Sequence, residues 1–211
     1  MFNYKQTFIS LGILYNKNNF NPLKNRDIYN NNNFPPSKPV SGGIWGSTLY
    51  SNKKYKSAWE EYIYSKLQPN LFQHRLNSKS TIFNIKPDSK VLELNTIDDV
   101  YIELTPTQIN SNLALRTIKV SGKVPKVFEN HLFIDFEKLP NFYDALYVTQ
   151  NFANEVDSVL SEFDNSVLDN KPLNTIKITN AKLYVAEMFE DWNVDSMLIL
   201  NPNCINIIST I

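Results

Sequence analysis

The run SGGIWGSTLY, residues 41–50, holds three of the five glycines in a chain of 211 residues, with Trp45 between them and Ser47 and Thr48 directly behind. A sequence so sparing of glycine has a backbone reason for placing three together. Glycine admits positive φ and lets a second chain or a ligand approach where a Cβ would collide. The window therefore reads as a glycine-bearing strand and as the first place to look for a site.

Working outward, KQTFISLGILY at 5–15 is β-branched and aromatic enough for a half-buried first strand. Residues 16–40 carry Asn, Pro and Lys with almost no periodicity and read as a long surface loop, mobile at the Asn30 to Asn33 tract. Downstream of the glycines, Tyr55, Trp59, Tyr62, Ile63 and Leu67 fall at i, i+4, i+7, i+8 and i+12. That stripe predicts a helix capped by Ser51 or Asn52 and stopped by Pro69. Strands are expected at Thr81–Ile85 and Lys90–Leu94 around a Pro87-Asp88 turn, and Thr96 with Asp99 marks a helix start for IDDVYIEL. Residues 105–130 fit no single pattern. DFEKL reads as one helical turn, YDALYVT as a strand and Asn154–Phe163 as a helix. Leu173–Ile178 and Ala181–Glu187 fit two strands or a strand and a helix. VDSMLILNPNCINIIST gives two β-rich runs around an Asn201-Pro202-Asn203 turn. Short strands with few helices and no strict alternation argue an α+β domain.

Composition bounds the function. The chain is long enough for one large domain over 1–211, and 42% hydrophobic residues supply a core. With 21 basic and 21 acidic residues it has no global field to draw it onto nucleic acid or an anionic membrane. No stretch approaches the about 18 apolar residues of a membrane span, and the N-terminus lacks a basic, then apolar, leader. The single Cys204 forms no internal disulfide and reads as a small apolar residue at a strand end. A cytoplasmic protein is expected. The excess of Asn, Lys and Ile suits an AT-rich genome such as that of a phage.

Few constellations carry chemistry. His74 and His131 belong to no ligand-spaced pair, so no metal site is expected. Neither GxxxxGK[ST] nor GxGxxG occurs. Glu60 and Glu61 diverge by about 100° on a helix and read as a solvated face. Trp45 either fills the core or stacks on a ligand ring, whereas Trp59 lies on the helix stripe and reads as packing. Asp195, before the apolar run MLIL, stands at the mouth of a buried strand, placed to act on a ligand across the sheet or to cap the strand or pair with a lysine.

In order, these pieces resemble the ADP-ribosyltransferase-like family, including its small phage and bacterial members. GGIWGS at Gly42 to Ser47 looks like the family's second, GLW-type motif, and DSMLILNPNCI from Asp195 to Ile205 is similar to its final segment. The resemblance implies split mixed and antiparallel sheets with a few flanking helices, and NAD as cofactor. It implies that Ser10, Gly42, Gly43, Trp45, Ser47 and Thr48 hold the cofactor, while Asp195 and Ser196 occupy the catalytic position. The chain departs from the family twice. Phe8 and Ser10 stand where a His or Arg grips the cofactor, and the catalytic glutamate falls near Ser196, with Asp195 the nearest carboxylate. Adjacent strand residues face opposite ways, so Asp195 replaces that glutamate only through a bulge or twist.

Two functions follow from the resemblance. An active member cleaves the nicotinamide–ribose bond, with a carboxylate stabilising the positive ribose and ADP-ribose passing to a macromolecular target. An inactive member binds a nucleotide-like ligand or a host or partner protein, as a phage counter-defence or interaction protein would. A third reading, an interaction protein without a small-molecule pocket, expects the glycine window to pack on protein.

Overall fold

The structure, a computed structural model, describes residues 2–16, 20–25, 38–39, 41–51, 53–104, 115–117, 132–168 and 180–211. These form a mixed α+β arrangement around a seven-stranded sheet. Its strands are β1 (Thr7–Ser10), β2 (Ile44–Thr48), β3 (Thr81–Ile85), β4 (Val91–Leu94), β7 (Ala145–Val148), β8 (Ser196–Ile199) and β9 (Ile205–Thr210), in the order β4-β7-β8-β2-β1-β3-β9. β4 and β7 run parallel and every other neighbouring pair is antiparallel. A separate antiparallel pair joins β5 (Leu115–Thr117) to β6 (Leu132–Ile134). The helices are α1 (Ala58–Lys66), α2 (Gln73–Leu76), α3 (Ile97–Leu104), α4 (Gln150–Leu168) and α5 (Asn180–Met188). None of them is long and apolar enough to cross a membrane.

The sheet is curled. Five strand steps separate β7 from β9, about 24 Å if flat. Yet the Cys204 thiol, at the head of β9, lies 3.5 Å from the backbone oxygen of Asp144, just before β7. Strand alternation then sorts side chains between the inside and outside of the curl. Inward go Phe8, Ile44, Phe83, Tyr147, Met197 and Ile199, which form one apolar cluster. Outward go Leu92, Leu94, Leu146, Val148 and Leu198, packed against Ile97, Phe152, Val156 and Val185 of α3, α4 and α5 and against Phe189 just after α5. Ile9, Leu11 and Ile82 also face outward, against Ile63 of α1. Two helical groups thus cover the two flanks of the outer face.

Local chemistry fixes the elements and moves some expected boundaries. The apolar stripe does form α1, with Ile63 fully buried, but the helix starts at Ser57 rather than Ser51; Asn52 lies outside the described residues. The Ser57 hydroxyl accepts the Glu60 N–H at 3.2 Å, and the Glu60 carboxylate accepts the Lys56 N–H. This is a capping arrangement at S-x-x-E spacing. Glu60 is accordingly 9% exposed, and the solvated face expected for Glu60-Glu61 is corrected: a carboxylate that receives backbone N–H groups is anchored at the helix start. At α3, Asp99 accepts the N–H groups of Asn95 and Thr96, as the Thr96/Asp99 spacing suggests. β1 is shorter than its apolar run, because the chain turns at Gly12 with φ of 68°. Residues 181–187 resolve as helix within α5. Leu173–Ile178 and the Asn30–Asn33 tract lie outside the described residues.

The glycine window makes room for protein. Gly42 and Gly43 have φ of 88° and 67°, which side-chain-bearing residues rarely adopt. A Cβ on Gly42 would strike the Pro22 carbonyl, and one on Gly43 would come within 2.7 Å of Leu198 Cδ1. The segment 20–25 presses there, with Gly43 N–H bonded to Asn21 at 3.0 Å. Gly46 lies under the Phe83 ring, whose Cζ would be 2.8 Å from an added Cβ. Gly46→Ala is therefore expected to lower stability by about 1–3 kcal/mol in denaturant unfolding. Phe83→Leu should relieve part of that loss in a double-mutant cycle; strictly additive losses would show that the ring is not what excludes the Cβ.

Candidate functional site

A cavity of about 260 Å³ opens on the outer face of β1, β2 and β8, in the seam between the two helical groups. Its floor is strand: Ile9 and Leu11 from the β1 side, Trp45, Gly46 and Ser47 from β2, and Ser196 from β8. Trp59 of α1 and Arg75 of α2 stand on one wall, Lys38, Asp191 and Asn193 on the other. The Trp45 ring packs 4.8 Å from buried Trp192, centroid to centroid, and keeps one side half-exposed. Trp59 stacks on Tyr62 at 5.6 Å and 16°, so it both packs and lines the cavity.

The polar groups of the cavity are graded in how far they are committed. Trp59 N–H donates to Ser47 Oγ at 3.4 Å, and Ser196 Oγ donates to the Val194 carbonyl at 2.9 Å. The Lys38 ammonium donates to the backbone carbonyl of Asp191 and lies 5.7 and 6.0 Å from the Trp45 and Trp192 ring centroids. Burial lowers its pKa, and the Asp191 carboxylate opposes that shift. Arg75 is exposed and makes no ion pair among the described residues. Its backbone packs on the turn at Gly12, where a Cβ would lie 2.6 Å from Arg75 Cα. That close approach brings α2 to the cavity edge. The one carboxylate among the described lining residues, Asp191, is exposed.

A second polar cluster occupies the opposite, inner face of the same strands. Asp195 is 5% exposed. Its Oδ2 accepts from the Thr48 N–H at 3.2 Å, from the Thr48 hydroxyl and, more distantly, from Tyr147 OH at 3.5 Å. Gln6 Nε2 donates to Thr48 Oγ1 at 2.7 Å and to Tyr147 OH at 2.9 Å, which orients both hydroxyls toward the carboxylate. Asp195 Oδ1 is buried and has no hydrogen-bond partner among the described residues. Burial raises the Asp195 pKa; the Thr48 and Tyr147 bonds and the Lys53 charge pull it down without cancelling that rise. Burial, then the Asp195 and Glu61 charges, push the Tyr50 phenol up to about 12.

The residues singled out in the sequence thus divide. Trp45, Ser47 and Ser196 meet at the outer cavity. Thr48 and Asp195 bond each other on the inner face. Ser10 is fully buried and not among the described lining residues of the cavity, its Oγ without a hydrogen-bond partner among the described residues, while Gly42 and Gly43 lie beneath the 20–25 segment. Lys38, Arg75 and Asn193 join the cavity without any sequence signal of their own. His74 is exposed, His131 lies outside the described residues, and no metal-binding group of His, Cys, Asp or Glu occurs among the described residues.

No protein-family model, no curated protein and no solved structure matches this chain. The inner cluster has a pH signature of its own. A carboxyl whose folded pKa is raised favours the fold most below the unfolded value, near 3.8, and that contribution is lost as pH climbs through the folded pKa. Asp195→Asn should therefore flatten the decline in melting temperature above about pH 4. An unchanged slope would mean that Asp195 titrates normally.

Proposed function

We propose that this chain binds a small anionic ligand with an aromatic ring, nucleotide-like in chemistry, in the outer cavity, and does not turn it over. The observation that carries this reading is the convergence of two tryptophans, Trp45 and Trp59, with two cations, Lys38 and Arg75, around one cavity without a buried carboxylate among its described lining. Indole faces accept a planar ring by stacking, and the cations suit a phosphate. Ser47, Ser196 and Asn193 add hydroxyl and amide groups to the lining, of the kind that suits the hydroxyls of a ribose. The volume falls just under the roughly 300–1,000 Å³ usual for ligand pockets, so a ring with its first sugar is enclosed and a full dinucleotide would extend outward.

The ADP-ribosyltransferase-like resemblance fits this chemistry, with NAD or a related nucleotide as ligand. Support for binding over cleavage comes from the direction of Asp195, which faces Tyr147 and Thr48 across the sheet from Trp45 and Ser47. A carboxylate there cannot stabilise charge on a ribose in the outer cavity, because catalytic electrostatics acts at contact range. The reading as an interaction protein, directed at a host or partner protein, is favoured by one observation: all three glycines of the window pack on protein.

Calorimetric titration with AMP, nicotinamide mononucleotide, ADP-ribose and NAD, followed by chromatography for free nicotinamide, separates these readings. Saturable heat, quenching of tryptophan fluorescence and no nicotinamide release are expected. Arg75→Ala should weaken binding roughly tenfold, the worth of one charge-assisted hydrogen bond. Nicotinamide release that depends on Asp195 would establish cleavage of the nicotinamide–ribose bond instead, with label from NAD on an acceptor distinguishing transfer from hydrolysis. No heat and no change in melting temperature with any of the four would leave the interaction protein.

A further inference from the structure

β9 closes one edge of the sheet, and its residues from Asn206 onward are all exposed. Ile207, Ile208 and Ile211 are 49%, 54% and 50% exposed, a cluster of isoleucines on a single strand and its continuation. An open edge is a template for another strand, and proteins that remain single blunt it with charge or proline. Ile205–Ile211 contains no charged side chain and no proline. The opposite edge differs: β4 carries Glu93 in its middle and follows Lys90. One blunting device is present at β9. The register shifts between Ile82 and Phe83, which leaves Ile208 as an extra residue in the ladder with β3.

We propose that β9 is the contact between two copies of this chain, paired edge to edge as antiparallel strands about a two-fold axis. In such a pair the strand faces itself, so any charge is brought close to its own copy; β9 has none to repel. The bulge leaves Ile208 without a register partner in β3 and 54% exposed, so its apolar side chain is available to pack in the pair. On the concave side, Leu14, Tyr15, Pro202 and Ile207 line a groove beside β9 that receives alternate side chains of the incoming strand. Leu14 is itself 55% exposed, which extends the apolar surface beyond the strand. Lys79 and Lys86 line the same groove and would suit an acidic peptide as the rival occupant.

Sedimentation equilibrium over micromolar to near-millimolar concentrations tests the proposal. The expected result is a concentration-dependent species of twice the 24.4 kDa chain mass. Ile208→Lys should weaken the association at least tenfold with an unchanged far-ultraviolet circular dichroism spectrum. Ile102→Lys, which alters an equally apolar but distant residue 69% exposed on α3, should leave it intact. Amide exchange of the unaltered chain gives a readout free of mutation, and protection within 205–210 should rise with concentration. A monomer at every concentration overturns the proposal and returns the edge to a partner such as an acidic peptide. A dimer indifferent to Ile208→Lys overturns it as well.

Discussion

The antiparallel pairing of Ile44–Gly46 with Met197–Ile199 sets which side chains of β2 and β8 face the cavity and which face the inside of the curl. Trp45 stands across from Leu198 and Gly46 across from Met197, so the two strands share one alternation. Trp45, Ser47 and Ser196 therefore turn to the outer face, and Thr48 and Asp195 to the inner one. A slip of one residue in that register would exchange the two sets. It is held by burial on both sides: Leu198 and Leu200 belong to the helix-covered cluster, while Met197 and Ile199 belong to the cluster within the curl. Slippage would drive serine and aspartate against those apolar walls.

The curl also explains why a cavity exists where it does. Helices α3, α4 and α5 pack over β4, β7 and β8, and α1 packs over β1 and β3, so β2, the one strand between them, lies under the seam and is met there by the first turn of α1 at Ser47. A flat sheet would bring the helical groups side by side, whereas on the convex face of a curled one they splay apart. Trp45 stands on the floor of the resulting seam and Trp59 on one wall. Asp195 occupies the reverse side, in a network that Gln6, Thr48 and Tyr147 satisfy at one carboxylate oxygen and leave open at the other. Such half-satisfied burial costs stability, and protonation of the acid is the simplest relief.

Much of this architecture was legible along the chain. The stripe through Trp59 and Ile63, the start at Asp99, the YDALYVT strand and the pair of runs about Asn201-Pro202-Asn203 all formed, because each rests on local periodicity or turn chemistry. Ser57 is masked as the cap because Tyr55 continues the apolar spacing past it, although Ser57-Ala58-Trp59-Glu60 carries the S-x-x-E signature. The opposition of Asp195 and Ser196 was also legible, from strand alternation alone. Lys38 and Arg75 were not. They reach the cavity through long-range packing, Arg75 by the seating of α2 on the Gly12 turn, and spacing along the chain holds no record of that. The glycine window signalled close approach correctly as a type of event, but composition does not distinguish a Pro22 carbonyl or a Phe83 ring from a ligand.

The proposed division of the sheet into a ligand-binding outer face and a buried acidic inner face is most directly tested by nuclear Overhauser contacts between AMP and the protein. Contacts from the adenine protons to the indole protons of Trp45 and Trp59, with none to the ring of Tyr147, are the result expected here. Adenine contacts to Tyr147 and the Thr48 methyl group instead would put the ligand beside Asp195 and contradict the account.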